Sequence, residues 1–342
     1  MYANSPTLRR ALAVVQLALG SALLLAPTAQ ATTLLNASYD VARDVYKDLN
    51  PAFVAQWQSR YPNDPLKIDQ SHGGSSKQAR SVIDGLQADV VSMNSPLDID
   101  AIANAKLTSR DWAKRLPSAS SPSWSTILFL VRKNNPKNIK DWNDLVRKDV
   151  KVVIPNPKTS GNARYSYLAA WEHARRQPGG SDTTARDFVA RFIANVPVFD
   201  TGGRGATTTF VQRGIGDVLL TFENEIQLIA SEFSAQGFEI IVPSLSVRAD
   251  NPISLVDKVV SKKGTQAVAE AYLTFHFSPE GQAIFAKHGI RPSDAAVLAQ
   301  HRSRFPDVKL FTVDEAFGGW ANAQKTHFAD GGVFDQIVQQ RH

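Results

Sequence analysis

Asn156-Pro157-Lys158-Thr159-Ser160-Gly161-Asn162-Ala163-Arg164-Tyr165, N-P-K-T-S-G-N-A-R-Y, is the stretch on which the reading of this chain turns. It joins a β-branched apolar run, Val152 to Ile154, to residues at helical spacing, Tyr167, Leu168 and Trp171. A buried strand that turns through Thr, Ser, Gly and Asn into a helix is one unit of an α/β fold. The turn holds no histidine or carboxylate, so its chemistry is that of N–H and O–H donors.

The same junction recurs on either side. Ser71 to Gln78, S-H-G-G-S-S-K-Q, leads into Ala79, Val82, Ile83 and Leu86. Asp200 to Phe210, D-T-G-G-R-G-A-T-T-T-F, runs on to Val211 and Ile215, and a weaker case, N-A-S-Y-D at Asn36 to Asp40, precedes Val41, Val45 and Leu49. A helix N-terminus presents unpaired N–H groups and the positive end of the macrodipole, which suits an anion. Glycine lets a ligand reach that backbone, and Ser or Thr adds a hydroxyl. These residues are also the ordinary caps of helices, and one such turn alone reads as capping. Three glycine-containing turns point to a shared oxyanion. Moving a dianion into a dry cleft costs tens of kcal/mol in the Born limit, and one charge-assisted hydrogen bond returns about 1.5–3 kcal/mol. Half a dozen donors and full closure over the ion are therefore required.

Strands are predicted at Leu66 to Ile68, Asp89 to Met93, Thr126 to Arg132, Lys151 to Ile154, Asp217 to Phe222, Phe238 to Val242 and Ser254 to Val260. Helical patterns lie between them, among others at Ser76 to Leu86, Ala163 to Ala174, Ala185 to Ile193 and Thr265 to Phe275, and Ser278-Pro279-Glu280 opens another. The alternation predicts α/β with largely parallel sheets. Pro and Ser cluster at Leu116 to Ser123 and Pro243 to Pro252, just ahead of two strands, where paired crossings between two lobes are expected.

The length of 342 residues and 43% hydrophobic content allow one large domain or two medium ones. Residues 1–31 read as a cleaved leader: Arg9 and Arg10 precede the apolar Ala11 to Ala26, and Ala29-Gln30-Ala31 has the small-x-small form. The apolar run is shorter than the ~20 residues of a membrane span. Sec and twin-arginine export both remain open. With no cysteine, the exported chain has neither disulfides nor a lipid-anchoring thiol, which places it free in a bacterial periplasm. The net charge of +6 falls when the two leader arginines depart. That mild basicity attracts small anions, and without a basic cluster no nucleic-acid partner is expected.

Metalloprotease, nucleophile-elbow and P-loop motifs are absent, and Gly202 to Gly205 lacks dinucleotide-fingerprint spacing. The seven histidines are scattered, so no catalytic residue, metal or cofactor is assigned. His72 inside the first turn reads as structural. For Arg204, direct contact with an anion and orientation of neighbouring peptides stay equally open.

At these motifs the chain resembles the sulfate- and thiosulfate-binding proteins of bacterial ABC importers. The resemblance runs through Leu34 to Asp40, Asp69 to Ala79, Leu130 to Leu145 (L-V-R-K-N-N-P-K-N-I-K-D-W-N-D-L), Asn156 to Tyr165, Asp200 to Phe210 and Phe317 to Phe328 (F-G-G-W-A-N-A-Q-K-T-H-F). It implies a two-lobed periplasmic binding fold of the type with two hinge crossings (type 2), each lobe a mixed sheet flanked by helices. The lobes would be 32–127 with 254–300, and 128–253 with 301–342. Carried over by motif, the N–H donors fall at Asp40, Ser75, Gly161, Asn162 and Gly203, and Ser160 gives its hydroxyl. The sulfate branch has an indole donor after G-I-G-D-V-L; this chain has Phe222, which resembles the thiosulfate branch. Sulfur is a poor acceptor, so an aromatic face suits it better than an N–H. The expected function is capture of sulfate or thiosulfate and delivery to an inner-membrane ABC permease, by a monomer. Another tetrahedral oxyanion such as molybdate, a periplasmic ester hydrolase and an anion sensor are the alternatives.

Overall fold

The computed structural model describes residues 31–340, so the predicted leader lies outside the described residues save for Ala31. Two mixed sheets carry the two lobes. In the first, β1 (Thr32–Tyr39) lies between β2 (Leu66–Gly73) and β3 (Val90–Ser92), both parallel to it, and β12 (Ile253–Leu255) runs antiparallel to β3. In the second, β6 (Val152–Pro155) lies between β7 (Phe199–Asp200) and β8 (Val218–Phe222), all parallel. There β5 (Ile127–Val131) pairs antiparallel with both β8 and β9 (Glu239–Ile241). The sheets are therefore mixed, where the strand–helix alternation predicts largely parallel ones. The antiparallel strands β5 and β12 are those that follow directly on the short hinge strands Ser123–Ser125 and Ala249–Asn251, with no helix between.

The hinge is a small ladder of β4 (Ser123–Ser125) with β11 (Ala249–Asn251) and β13 (Arg291–Pro292), and beside it β10 (Ser246–Val247) pairs with β14 (Leu310–Phe311). Thr126 Oγ1 donates to Ser246 Oγ at 2.8 Å, and that hydroxyl donates to Ile127 O at 2.8 Å, tying the two crossings side by side.

One predicted strand is corrected. The run from Ser254 to Val260 is extended only to Leu255, and Val259 and Val260 belong to the helix Asp257–Lys263. Val256, Val259 and Val260 are all buried, at i, i+3 and i+4, so helical burial outweighs their β propensity. In the other direction, β2 runs past Ile68 to Gly73 because it pairs with β1 along its whole length, Tyr39 opposite Gly73.

The C-terminal segment packs on the helices Gly161–Arg175 and Asp182–Ala194. The Tyr167 ring lies 5.1 Å from that of Phe328 and 6.2 Å from that of Phe334, and Lys158 Nζ donates to Phe328 O at 2.9 Å.

Just before the first crossing, Ser118, Ala119 and Ser120 are consecutive left-handed residues with φ of 53°, 52° and 58°. Ser120 Oγ holds the turn by donating to Trp112 O at 2.8 Å. Each non-glycine residue in this region costs about 1–2 kcal/mol. Ala119 is exposed, so Ala119→Gly relieves strain without opening a cavity. After the extra chain entropy of glycine is subtracted, the variant is expected to gain about 0.5–1 kcal/mol in urea unfolding. No gain would mean the turn is not strained.

Candidate anion-binding site

Parallel strands send their following turns out of one edge of a sheet, and ligands of open α/β sheets gather there. Both sheets obey this rule. β1 exits into Asp40, β2 into Gly74 and Ser75, and β3 into Asn94 and Ser95. Across the cleft, β6 exits toward Ser160 and Gly161, β7 into Thr201 and Gly202, and β8 ends on Phe222. These edges face one another with the lobes closed.

The glycines record how closely the turns meet. A Cβ on Gly74 would lie 2.5 Å from Thr201 O and 2.6 Å from Thr159 O. On Gly202 it would lie 2.3 Å from Asp40 Oδ2, on Gly203 2.9 Å from Val41 Cγ1, and on Gly161 2.0 Å from Asn94 Oδ1. Lys77 N–H donates to Thr159 O at 3.4 Å across the same gap. Asp40, Ser75, Ser160, Gly161, Asn162 and Gly203, expected from the motifs, thus come from separate elements to one place. Phe222 joins them through rings: its centroid is 6.3 Å from that of Tyr39, the neighbour of Asp40, and 6.0 Å from that of Tyr165, one turn along from Gly161.

Capping does not account for these turns. Four helices elsewhere are capped by side chains: Ser181 accepts from Thr184 N, Ser278 from Gly281 N, Asp294 from Ala296 N and Val297 N, and Thr312 from Glu315 N. At the cleft, Tyr39, Gly74, Ser160, Gly202 and Phe222 precede helices and make no side-chain cap bond. Ser160 is the telling case, because the same residue type caps at 181 and 278. Its hydroxyl, and the first amides of the helix Gly161–Arg175, are left for another acceptor.

The two arginines at the turns lie against carboxylates. Arg204 pairs with Asp44 across the cleft and with Glu225 at 3.3 Å. Its amide donates to Asp40 Oδ2 at 3.0 Å. Arg164 lies 3.5 Å from Asp98, which also accepts from Ser75 Oγ at 2.5 Å, and its Nε donates to Pro157 O at 2.9 Å. The Arg204 amide and both terminal guanidinium nitrogens are thus committed to carboxylates, while its Nε has no hydrogen-bond partner among the described residues. Burial raises the pKa of Asp40, with the Arg204, Asp40 and Val41 amides opposing it, so the Asp40 amide already faces its own carboxylate. Burial likewise pushes Glu225 up to about 7, although Arg204 and the Thr207 hydroxyl favour its ionised form. His72 is pushed down to about 4, by burial first and Arg43 second, and its Nδ1 lies 2.7 Å from Ser38 Oγ: it is a neutral, structural imidazole at pH 7.

Buried polar atoms without a hydrogen-bond partner concentrate around these turns, among them Asn94 Oδ1, Ser95 Oγ, Asn162 Oδ1, Arg204 Nε and Glu225 Oε2. Such atoms require an explanation in ligand, ion or water. Asn94 and Thr221, whose Oγ1 accepts from Asn162 Nδ2 at 3.0 Å, escaped the motif reading. The signal for Asn94 was present: N-S-P at Asn94 to Pro96 leaves a strand for a helix with proline in its first turn, the signature read at Ser278-Pro279-Glu280.

Comparison with known proteins places these features in context. Residues 34–291 match the model of the family described as bacterial extracellular solute-binding protein. A thiosulfate-binding protein of Pseudomonas aeruginosa is 56% identical over 308 residues, 90% of this chain and 92% of the relative. A sulfate-binding protein of Escherichia coli K12 is 53% identical over 324 residues, covering 94% and 98%. The solved sulfate-binding protein SubI of Mycobacterium tuberculosis H37Rv superposes with a TM-score of 0.77 at 32% identity, covering 86% of this chain and 98% of that one.

Proposed function

The chain belongs to the bacterial extracellular solute-binding proteins, and from that premise we propose that it is the periplasmic component of a sulfate/thiosulfate importer, closing on the dehydrated dianion and delivering it to an ABC permease. The observation that carries this reading is the meeting at one point of helix starts from both lobes whose own N-cap side chains make no cap bond, with the nearby arginines against carboxylates. Such a point offers many donors, which suits a small oxyanion with no proton of its own. Amides of Ser75, Gly161, Asn162 and Gly203 and the Ser160 hydroxyl are its donors in this account, the Asp40 amide being turned to its own carboxylate, and Phe222 is its apolar wall. The protein acts by binding, without catalysis, and works as a monomer.

We take 32–127 with 254–300, and 128–253 with 301–342, as the two bodies that rotate. Their hinge is the paired crossing held by Thr126 and Ser246. The leader over 1–31 directs export.

Calorimetric titration of desalted protein with sulfate and thiosulfate tests the reading, and failure to bind either would end it. Within that experiment, Ser160→Ala removes one charge-assisted donor, worth about 1.5–3 kcal/mol, and is expected to weaken sulfate roughly tenfold or more. An unchanged dissociation constant would exclude the hydroxyl from the site.

A further inference from the structure

Phe222 ends β8 opposite Ile127, the first residue of the strand that leaves the hinge, and its ring is buried there. It does not stand there alone. Tyr39 meets it at an interplanar angle of 77° and Tyr165 at 65°, both edge-to-face, and Tyr165 is itself held edge-on by Trp320 at 5.0 Å and 90°. All three residues are buried, with Phe222 and Tyr165 1% exposed and Tyr39 4%. Tyr39 is joined through the chain to Asp40 of the first lobe, and Tyr165 lies on the helix begun by Gly161 of the second. An edge-to-face pair prefers a narrow range of orientation, so a ring gripped from both sides presents a fixed surface.

We infer that Tyr39 and Tyr165 are specificity-determining residues, which with Phe222 form an aromatic wall contributed by both lobes against which the sulfur of a thiosulfate-class anion rests. This deepens the functional reading above and rests on it. Sulfate has four oxygens that each want a donor. In thiosulfate one position is a large, polarisable, negatively charged sulfur, a weaker acceptor than oxygen, which gains from lying about 5 Å away at the positive edge of an aromatic ring. The amide turns then serve the three oxygens, and the wall serves the fourth position. Because Tyr39 comes from the lobe opposite Phe222 and Tyr165, the wall is complete only when the cleft is shut, so the preference is expressed at the closing step.

The test is the ratio of thiosulfate to sulfate dissociation constants, by calorimetry, in wild type, Tyr39→Leu, Tyr165→Leu and the two Tyr→Phe variants. The leucine variants are expected to move the ratio toward sulfate by about three- to tenfold, and the phenylalanine variants, which keep the rings, to leave it within twofold of wild type. A uniform loss of both anions with the ratio unmoved would reduce the tyrosines to structural supports and overturn the wall. Loss of preference in the phenylalanine variants equal to that in the leucine ones would overturn it too, by assigning the effect to the hydroxyls. If the leucine variants do not fold, a crystal of the wild-type thiosulfate complex decides: anomalous scattering places the terminal sulfur within about 5 Å of these rings, or places it among the amides and refutes the proposal. Wild type that binds neither anion would instead refute the functional reading.

Discussion

Gly74→Ala is expected to weaken sulfate binding about a hundredfold, with the melting temperature of the unliganded protein within about 2 °C of wild type. The reasoning is steric and local. Gly74 has φ −55° and ψ 135°, which alanine adopts freely, so the substitution strains nothing within its own lobe. Its added methyl, however, would stand 2.5 Å from Thr201 O and 2.6 Å from Thr159 O, both backbone atoms of the other lobe. Backbone cannot swing aside as a flexible side chain does, so the lobes must stop short. A gap of several tenths of an ångström lengthens several amide contacts together, and two bonds of about 1.5 kcal/mol each make up the hundredfold. Near-normal affinity would show that closure does not pass through this contact. A large fall in melting temperature without ligand would show that the methyl injures the fold rather than the closing step.

The second large effect is discrimination by protonation. At neutral pH phosphate carries a proton that sulfate lacks, and a site built from donors has no acceptor for it. The nearest carboxylate, on Asp40, already accepts from the Arg204 amide at 3.0 Å. A buried polar mismatch of this type discriminates strongly, and phosphate is expected to bind about a thousandfold more weakly than sulfate in the same calorimetric cell. Comparable affinities would mean that the unpartnered Oδ1 of Asn94 or Asn162 receives the proton, and the donor-only account would fall.

Much of this was legible in the sequence, for reasons that can be named. Turns such as Thr159 to Asn162 sit between a buried strand and a helix, and that junction alone fixes them at the C-terminal end of a strand. The helix Gly161–Arg175 and the strand Val218–Phe222 follow directly from periodicity. The sequence was less informative where tertiary burial decides. Valines at 256, 259 and 260 look extended by propensity yet line one face of a turn and a half of helix. Antiparallel β5 and β12 depend on the hinge path, which no local pattern carries. At the site, the proposed amide donors were readable because glycine and serine mark their turns. Tyr39 and Tyr165 were not, because an aromatic side chain at a strand end or in the first turns of a helix reads as core until its neighbours are known. The fate of Arg204 was open for the same reason: its partners Asp44 and Glu225 lie 160 and 21 positions away along the chain.

A crystal structure of the protein closed on sulfate measures the central claim directly. The account predicts sulfate oxygens about 2.8–3.0 Å from the amides of Ser75, Gly161, Asn162 and Gly203 and close to the Ser160 hydroxyl, with Arg164 still on Asp98 and Arg204 still on Asp44. An arginine or lysine nitrogen within about 3 Å of a sulfate oxygen would contradict it.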